Sequence, residues 1–370
     1  MPDTPTHLFT TCQVGAEGAL KAELGRTWPG FRFAFSRPGF VTFKLPNACG
    51  LADDFDLRSV FARTYGFCLG KIEGENAEQM ADELWALVGD RPVDVLHVWQ
   101  RDAALPGEGD FEPGRTTLAD EMGTIIVSRR REAGPKPSPL DVNRRAHQGE
   151  AVLDCVLVEP NQWWIGRHRA ASFHSRWPGG VCQIELPPEV VSRAYLKTAE
   201  ALHWSQLPIQ AGDRVVELGA APGGSCQALL DRGLIVTGVD PAEMDESVLE
   251  HPDFTHLQMR SVEVRRRDFR DVRWLISDIS AAPAYTLDAV EAIVTHEAVN
   301  IRGMLLTLKL SNWGLADEIR SYVSRVRGWG FEYVRARQLA FNRREMCLAV
   351  MRSRSMRRGQ KRPSRARSPR

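Results

Sequence analysis

The feature that most constrains this chain is the stretch VVELGAAPGGSCQALL at 215–230, where an apolar strand leads into a glycine turn and then a helix. Glycine lets the backbone approach a ligand without an intervening Cβ. Open α/β sheets bind ligands at the carboxyl ends of their strands, where such turns lie. The stretch therefore predicts a nucleotide-like ligand beside Gly219, Gly223 and Gly224.

The spacing of the glycines decides between ligands. A dinucleotide cradle needs GxGxxG, whereas this turn reads GAAPGG, and no Lys-Ser/Thr pair follows as in a P-loop. Asp240 ends the next apolar strand, about twenty residues on, where an acid can hydrogen-bond ribose hydroxyls. Ribose recognition without a phosphate cradle indicates S-adenosylmethionine as the cofactor. A purely structural glycine turn is the alternative interpretation.

Apolar strands alternate with helix-length stretches over 181–352. The expected strands are 214–219, 234–240, 274–278 and 303–310, and the expected helices are 189–204, 224–231, 288–301 and 317–329. This alternation predicts an α/β fold, with a parallel sheet covered on both faces. Two final apolar stretches joined by a short polar link predict a terminal hairpin, whose last strand runs antiparallel to its neighbours.

The N-terminal half has a different pattern. A helical stripe at 15–28 is followed by alternating phenylalanines at 31–35, and 150–169 reads as a hairpin. This mixture predicts small α+β modules, which we place at 1–92 and 93–180.

Charge is unevenly distributed along the chain. The 370 residues include 48 basic and 47 acidic ones, but nine of the basic residues and no acid follow Met351. The remaining body therefore has 39 basic against 47 acidic residues. The Ser/Pro/Arg-rich tail, 353–370, cannot bury a core and is predicted to be disordered. It is either a solvated tail or a non-specific contact to phosphates.

Three other features of the sequence indicate where in the cell the protein resides. No apolar run of about eighteen residues exists, so no membrane span is expected. The first residues, MPDTPTHLF, lack the basic and apolar regions of a signal peptide. The seven cysteines are scattered without a CxxC pair, which is typical of reduced thiols in the cytoplasm. We expect a cytoplasmic protein with no metal site.

Four segments carry a resemblance to a known family. VELGAAPGG with Asp240, SDISAAP, TLKLS and ARQLAFNRREMCLAV resemble the FtsJ-type RNA ribose 2′-O-methyltransferases, and among them the M-type branch that modifies a cytidine of 23S rRNA. The resemblance is specific over about 188–351. It implies a Rossmann-like methyltransferase domain preceded by ferredoxin-like and THUMP modules. It also implies S-adenosylmethionine as cofactor and RNA, 23S rRNA or a ribosomal precursor, as partner.

The resemblance also implies site residues. The family's catalytic Lys-Asp-Lys-Glu tetrad matches Lys197, Asp278, Lys309 and Glu345, with the second lysine as proton acceptor. The cofactor contacts carried over to this chain are Gly219, Ala221, Pro222, Gly223, Gly224, Asp240 and Asp278.

The predicted topology brings the tetrad together independently of the resemblance. Asp278 and Lys309 end parallel strands, and Glu345 opens an antiparallel strand, so all three reach one edge of the sheet. Lys197 lies off the apolar face of its predicted helix. Taken singly, each residue also has a structural interpretation, as a solvated lysine or a strand-end acid. Partial burial and a second ammonium are expected to lower the pKa of Lys309, which a base requires.

The sequence departs from the family's pattern at several positions. Ala194 replaces a serine that contacts the cofactor, and Ser311 replaces a proline. In segment 258–263, no acidic residue stands at the position where the family has the acid that contacts the adenine side of the cofactor. Two alternatives therefore remain. One is a catalytically weak RNA-binding protein that retains the fold. The other is a methyltransferase for another RNA position, a base or a small molecule, although SDISAAP lacks the D/N-P-P-Y motif typical of base methylation.

Overall fold

The computed structural model of the chain describes residues 5–47, 50–130 and 139–353. Most of the predicted disordered tail, from residue 354 onward, lies outside the described residues. The chain divides into two compact units, Met1–Glu185 with Gln338–Arg343 and Leu186–Arg337 with Arg344–Arg370. Within the described ranges, no helix is long and apolar enough to cross a membrane.

The first unit contains an eight-stranded sheet with the order β2-β3-β1-β4-β8-β7-β5-β6. Its strands are β1 His7–Thr11, β2 Arg32–Arg37, β3 Phe40–Lys44, β4 Thr64–Glu73, β5 Val95–Gln100, β6 Asp141–Val142, β7 Ala151–Glu159 and β8 Gln162–Arg169. Its helices are α1 Glu17–Thr27, α2 Ala77–Val88 and α3 Thr117–Ser128.

The ten-residue β4 joins the two halves of this sheet. It pairs with β1 on one side and with β8 on the other, both antiparallel. Segments 1–92 and 93–180 thus contribute strands to one continuous sheet, and their assignment as ferredoxin-like and THUMP modules stays a prediction. The hairpin expected at 150–169 is confirmed as the antiparallel pair β7 and β8.

The second unit contains a seven-stranded sheet with the order β11-β10-β9-β12-β13-β15-β14. Its strands are β9 Arg214–Leu218, β10 Ile235–Val239, β11 Phe254–Leu257, β12 Trp274–Ser277, β13 Gly303–Lys309, β14 Tyr333–Arg337 and β15 Glu345–Met351. Its helices are α4 Ala194–Ser205, α5 Gly224–Leu230, α6 Glu246–Leu249, α7 Pro283–Val294 and α8 Ile319–Gly328.

This sheet confirms the predicted α/β fold, a Rossmann-like parallel sheet that ends in an antiparallel hairpin. β10, β9, β12 and β13 pair in parallel, and only β15 runs antiparallel to its neighbours β13 and β14. Apart from the exposed Arg214 at the start of β9, the central strands β9 and β12 are buried because helices cover both faces, which is why they read as mainly apolar runs.

In the second unit, two predicted helices are displaced and one strand was not expected. The helix expected at 189–204 begins only at Ala194. The helix expected at 288–301 covers Pro283–Val294, since proline has no N–H to leave unpaired in a first turn. The four-residue β11 escaped prediction because FTHL is too short and too polar to show a period.

Candidate active site

The glycine turn lies against the end of β12. Gly219 has a φ of 81°, and a Cβ added to it would lie 3.0 Å from the carbonyl oxygen of Asp278 and from the backbone of Ile279. Only glycine combines this conformation with so close an approach. The absence of a side chain here therefore lets the turn after β9 and the end of β12 form one continuous edge.

Asp240 holds the turn in place. Its Oδ2 accepts a hydrogen bond from the backbone N–H of Ala221 at 3.2 Å, and its Oδ1 accepts one from Ala242 at 2.9 Å. Each carboxylate oxygen has a second lone pair, so these bonds leave acceptor capacity for a ligand hydroxyl. The predicted role of Asp240 in ribose binding stays a prediction.

Two buried polar atoms lie near this edge without a hydrogen-bond partner among the described residues. They are Oε1 of Glu217, near the end of β9, and Oγ of Ser277, at the end of β12. Buried polar atoms are almost always hydrogen-bonded in folded proteins. The glycine turn, where a Cβ would close the approach, and the remaining acceptor capacity of Asp240 fit a ligand that brings hydroxyl donors to the carboxyl edge, as S-adenosylmethionine does.

Glu217 is a buried acidic residue near the ligand edge that the sequence reasoning missed. Its side chain is completely buried, and its Oε2 accepts a hydrogen bond from Sγ of Cys226 at 3.0 Å. Burial raises the pKa of Glu217 to about 7, against the opposing effect of its hydrogen bonds. The sequence signal that could have revealed Glu217 is its charge within the otherwise apolar stretch VVEL.

The structure brings all four predicted tetrad residues together, with Asp278 between the two lysines. Its Oδ2 accepts a hydrogen bond from Nζ of Lys197 and its Oδ1 accepts one from Nζ of Lys309, each at 2.5 Å. The carboxylate is thus shared between two ammonium groups. The side chain of Asp278 is only 13% exposed, so this cluster is partly shielded from water.

Glu345 closes the cluster from the other side. Its Oε2 lies 2.5 Å from Nζ of Lys309, and its Oε1 and Oε2 lie 3.4 and 3.5 Å from Nζ of Lys197. Two ammoniums and two carboxylates therefore alternate in one partly buried group. This arrangement balances the charges, which makes burial of the two lysines tolerable.

The positions of these residues follow from the topology. Lys309 ends β13 and is the register partner of Glu345, which opens the antiparallel β15. Asp278 follows β12, the parallel neighbour of β13. Lys197 comes from the first turn of α4, three residues before the fully buried Glu200.

The charges in the site set the protonation of the tetrad. Burial alone would raise the pKa of Asp278, but Lys197 and Lys309 outweigh it and hold the pKa below its usual value. Burial alone would lower the pKa of Lys309, but Asp278 and Glu345 outweigh it and raise the pKa above its usual value. The expectation that a second ammonium lowers the pKa of Lys309 is therefore wrong for this arrangement, because the two carboxylates are closer neighbours.

The altered segment 258–263 forms a loop after β11. The backbone N–H of Arg260 donates a hydrogen bond to Oε2 of Glu263 at 2.9 Å, so the nearest acid is engaged by its own loop. Val262 is 55% exposed in the same loop. This bond closes the loop locally, and the predicted departure of segment 258–263 from the family's pattern stays a prediction.

Comparison with known proteins identifies the family. A model of the FtsJ-like methyltransferase family matches residues 190–320. Ribosomal RNA large subunit methyltransferase M of Halorhodospira halophila is 28% identical over 358 residues, covering 92% of this chain and 95% of the relative. The protein of the same name from Idiomarina loihiensis is 33% identical over 292 residues, covering 74% of this chain and 75% of the relative.

The chain belongs to the ribosomal RNA large subunit methyltransferase M family. The relative from Xanthomonas oryzae pv. oryzae, 27% identical, extends the match to 93% of this chain and 99% of its own length. Membership in the methyltransferase M family confirms the predicted enzyme, an S-adenosylmethionine-dependent RNA methyltransferase, and its predicted cofactor. It also confirms RNA as the substrate class.

Proposed function

We propose that this enzyme methylates the 2′-hydroxyl of a ribose in RNA, at a cytidine of 23S rRNA, with Lys309 as the general base. The observation that carries the proposal is the alternating cluster of Lys197, Asp278, Lys309 and Glu345 at the ligand edge of the sheet. A ribose hydroxyl must lose its proton to become a nucleophile. Most ring nitrogens of bases already offer a lone pair, so a dedicated base favours a hydroxyl target.

The chemistry divides between cofactor and protein. When bound near Gly219, Gly223, Gly224 and Asp240, S-adenosylmethionine supplies a methyl group already activated on a sulfonium, so no metal is required. Lys309 would accept the proton of the 2′-hydroxyl on its neutral amine as the oxygen forms its bond to the methyl carbon, whose bond to sulfur breaks to leave a neutral thioether. The proton therefore ends on Nζ of Lys309, from which solvent removes it after turnover.

The other three members orient the base and the substrate. Asp278 and Glu345 each accept a hydrogen bond from Nζ of Lys309 at 2.5 Å. These two bonds fix the nitrogen, so that its lone pair, once the amine is neutral, faces the substrate hydroxyl. Lys197, held by the other oxygen of Asp278, is placed to donate to the target hydroxyl or an adjacent phosphate.

The raised pKa of Lys309 requires that RNA binding assist deprotonation. The side chain of Lys309 is 24% exposed in the free protein. A bound nucleotide would exclude that water, and desolvation disfavours the ammonium form. Base activation would then be coupled to substrate binding, so that the amine becomes neutral only when a ribose is in place.

The first unit is proposed to contact the RNA outside the target nucleotide, with 93–180 as the THUMP-like module. The resemblance supports this assignment, as does the layout of a separate α+β sheet before the methyltransferase domain. A ribosomal RNA substrate supports the cytoplasm as the site of action.

Nucleoside analysis tests the proposed reaction. Large-subunit rRNA transcripts incubated with the protein and labelled S-adenosylmethionine would be digested to nucleosides and separated by mass spectrometry. The proposal predicts label in 2′-O-methylcytidine. Label confined to a base-methylated nucleoside, or to a 2′-O-methylated nucleoside other than cytidine, would overturn the corresponding part of the proposal.

A further inference from the structure

Four arginines lie on one rung across the amino edge of the second unit's sheet, opposite the tetrad. The backbone N–H of Arg273 donates to the carbonyl of Arg214 at 3.1 Å, that of Arg302 to Arg273 at 2.7 Å, and that of Arg352 to Arg302 at 3.1 Å. Neighbouring strands are about 4.8 Å apart, so the row extends over about 14 Å. We call these four residues the arginine row.

Two side chains of the arginine row, those of Arg214 and Arg273, are available for binding. Arg214 and Arg273 are exposed, and neither forms an ion pair with a carboxylate in the part of the chain that the structure describes. The nearby acid Asp213 is engaged, since its Oδ2 accepts hydrogen bonds from Nε1 of Trp274 at 2.8 Å and from the backbone of Gln210 at 3.0 Å.

The other two members of the row, Arg302 and Arg352, have a second, structural role. The guanidinium of Arg302 lies over the ring of Trp274 at 5.6 Å, and that of Arg352 lies over Phe331 at 4.7 Å. Arg352 also donates from Nε to the carbonyl of Ile301 at 2.7 Å. These two arginines keep their positive charge at the edge while packing against aromatic rings.

The positive charge continues along the chain on both sides of the row. Segment 265–270 contains the exposed residues Arg265, Arg267 and Arg270; Asp268, which lies 3.9 Å from Arg267, and the exposed Asp271 are the acids beside them. After Arg352 the sequence adds eight further basic residues and no acid. An acidic protein body with a concentration of arginine on this sheet edge fits a polyanion.

We propose that the arginine row is a second RNA-binding surface, which contacts the phosphate backbone of the substrate away from the target ribose. The inference builds on RNA as the substrate of the proposed reaction. Arg302 and Lys309 lie at opposite ends of β13, so seven residues of extended chain separate the surface from the base by about 23 Å. Phosphate contacts at that distance raise affinity and set orientation without reading the target nucleotide.

The test replaces the two exposed members in the full-length protein, Arg214→Gln with Arg273→Gln. Their ladder hydrogen bonds use backbone atoms, so the sheet register is retained. The matched control is Arg214→Lys with Arg273→Lys, which keeps the charge that a phosphate contact needs. Affinity for a large-subunit rRNA transcript would be measured over a series of salt concentrations, together with kcat and KM for methylation.

The glutamine variant is expected to bind the transcript about tenfold more weakly at 0.1 M salt, because two phosphate contacts are lost. The slope of log affinity against log salt should become shallower by about 1.5. KM for the transcript should rise while kcat is unchanged, and the lysine variant should match the unaltered protein. Unchanged affinity and salt slope in the glutamine variant would overturn the proposal.

Two further outcomes separate this proposal from its alternatives. If the glutamine variant loses binding to phosphatidylserine vesicles but binds the transcript normally, the surface recognises lipid and the proposal is wrong. If the salt slope changes as expected but the unaltered protein forms no 2′-O-methyl product, the surface stands and the proposed reaction fails.

Discussion

Lys309 and Glu345 are direct register partners in the antiparallel pair of β13 and β15, and Nζ of one lies 2.5 Å from Oε2 of the other. The end of one strand and the start of the other therefore place an amine and a carboxylate at the ligand edge. The terminal hairpin is thus part of the proposed active site, since it delivers the acid that orients the base.

The pH dependence of the reaction follows from the charges around Lys309. Asp278 and Glu345 raise its pKa, so the free enzyme holds this amine protonated at neutral pH. The value of kcat/KM reflects the protonation state of the free enzyme. The logarithm of kcat/KM should therefore rise with pH, with a slope of about one from about pH 6 to about pH 9. Initial rates at low RNA concentration across that range check this.

Glu345→Gln supplies the matched comparison for the pH profile. Removing one of the carboxylates that raise the pKa of Lys309 should move the rising limb of the profile to lower pH, while the maximal rate falls because the base is held less firmly. A profile that is flat in the unaltered enzyme, with RNA binding intact, would contradict the assignment of Lys309 as base.

Glu217→Gln is expected to stabilise the fold at alkaline pH. Burial raises the pKa of Glu217 to about 7. Below the unfolded pKa the group is protonated in both states and does not change the free energy of unfolding. As pH rises from there through about 7, the buried group increasingly destabilises the folded state. The gain in the free energy of unfolding should be on the order of 3 kcal/mol above pH 7 and vanish below about pH 4.5.

Urea unfolding at about pH 5 and about pH 8 measures this difference. The exposed Glu332 provides a control, because Glu332→Gln removes the same charge without desolvation. An equal effect of the two substitutions, or a Glu217→Gln effect that does not depend on pH, would show that the buried carboxyl group is not penalised as described.

Gly224→Ala should destabilise the methyltransferase domain through a direct clash. An added Cβ would lie 2.2 Å from Oγ of Ser192 and 2.7 Å from its carbonyl oxygen. Overpacking of this kind typically costs about 1–3 kcal/mol. Thermal unfolding in the absence of cofactor checks it, and adding Ser192→Gly should restore only part of the loss because the carbonyl remains.

Gly328→Ala is the control for the glycine prediction. A Cβ at this last residue of α8 would meet no heavy atom within 4 Å, so the substitution should be neutral or stabilising by up to about 1 kcal/mol. Equal melting temperatures for the Gly224→Ala variant and the unaltered protein would contradict the close packing of Ser192 against the turn.

The sequence predicted the second unit well because each buried parallel strand shows its apolar pattern within its own few residues. The strands that end at Leu218, Ser277 and Lys309 each appear as a mainly apolar run, and their shared edge places the tetrad. The glycine turn was likewise visible as a pattern of residue types.

Features that depend on contacts distant in sequence escaped prediction. The pKa of Lys309 is set by Asp278 and Glu345 together, and their distances cannot be read from spacing. The single sheet of the first unit depends on β4, whose sequence TYGFCLGKIE lacks a clean alternation. The arginine row is formed by four residues that are far apart in the chain and adjacent only through the strand register.

The most direct test of the account is single-turnover methyl transfer by a Lys309→Met variant, with cofactor affinity measured by calorimetry on the same preparation. The account predicts that the rate falls by about 10²–10⁴-fold, the usual contribution of a general base, while cofactor affinity changes little. A variant that binds cofactor normally and transfers methyl to the ribose within a few-fold of the unaltered rate would contradict it.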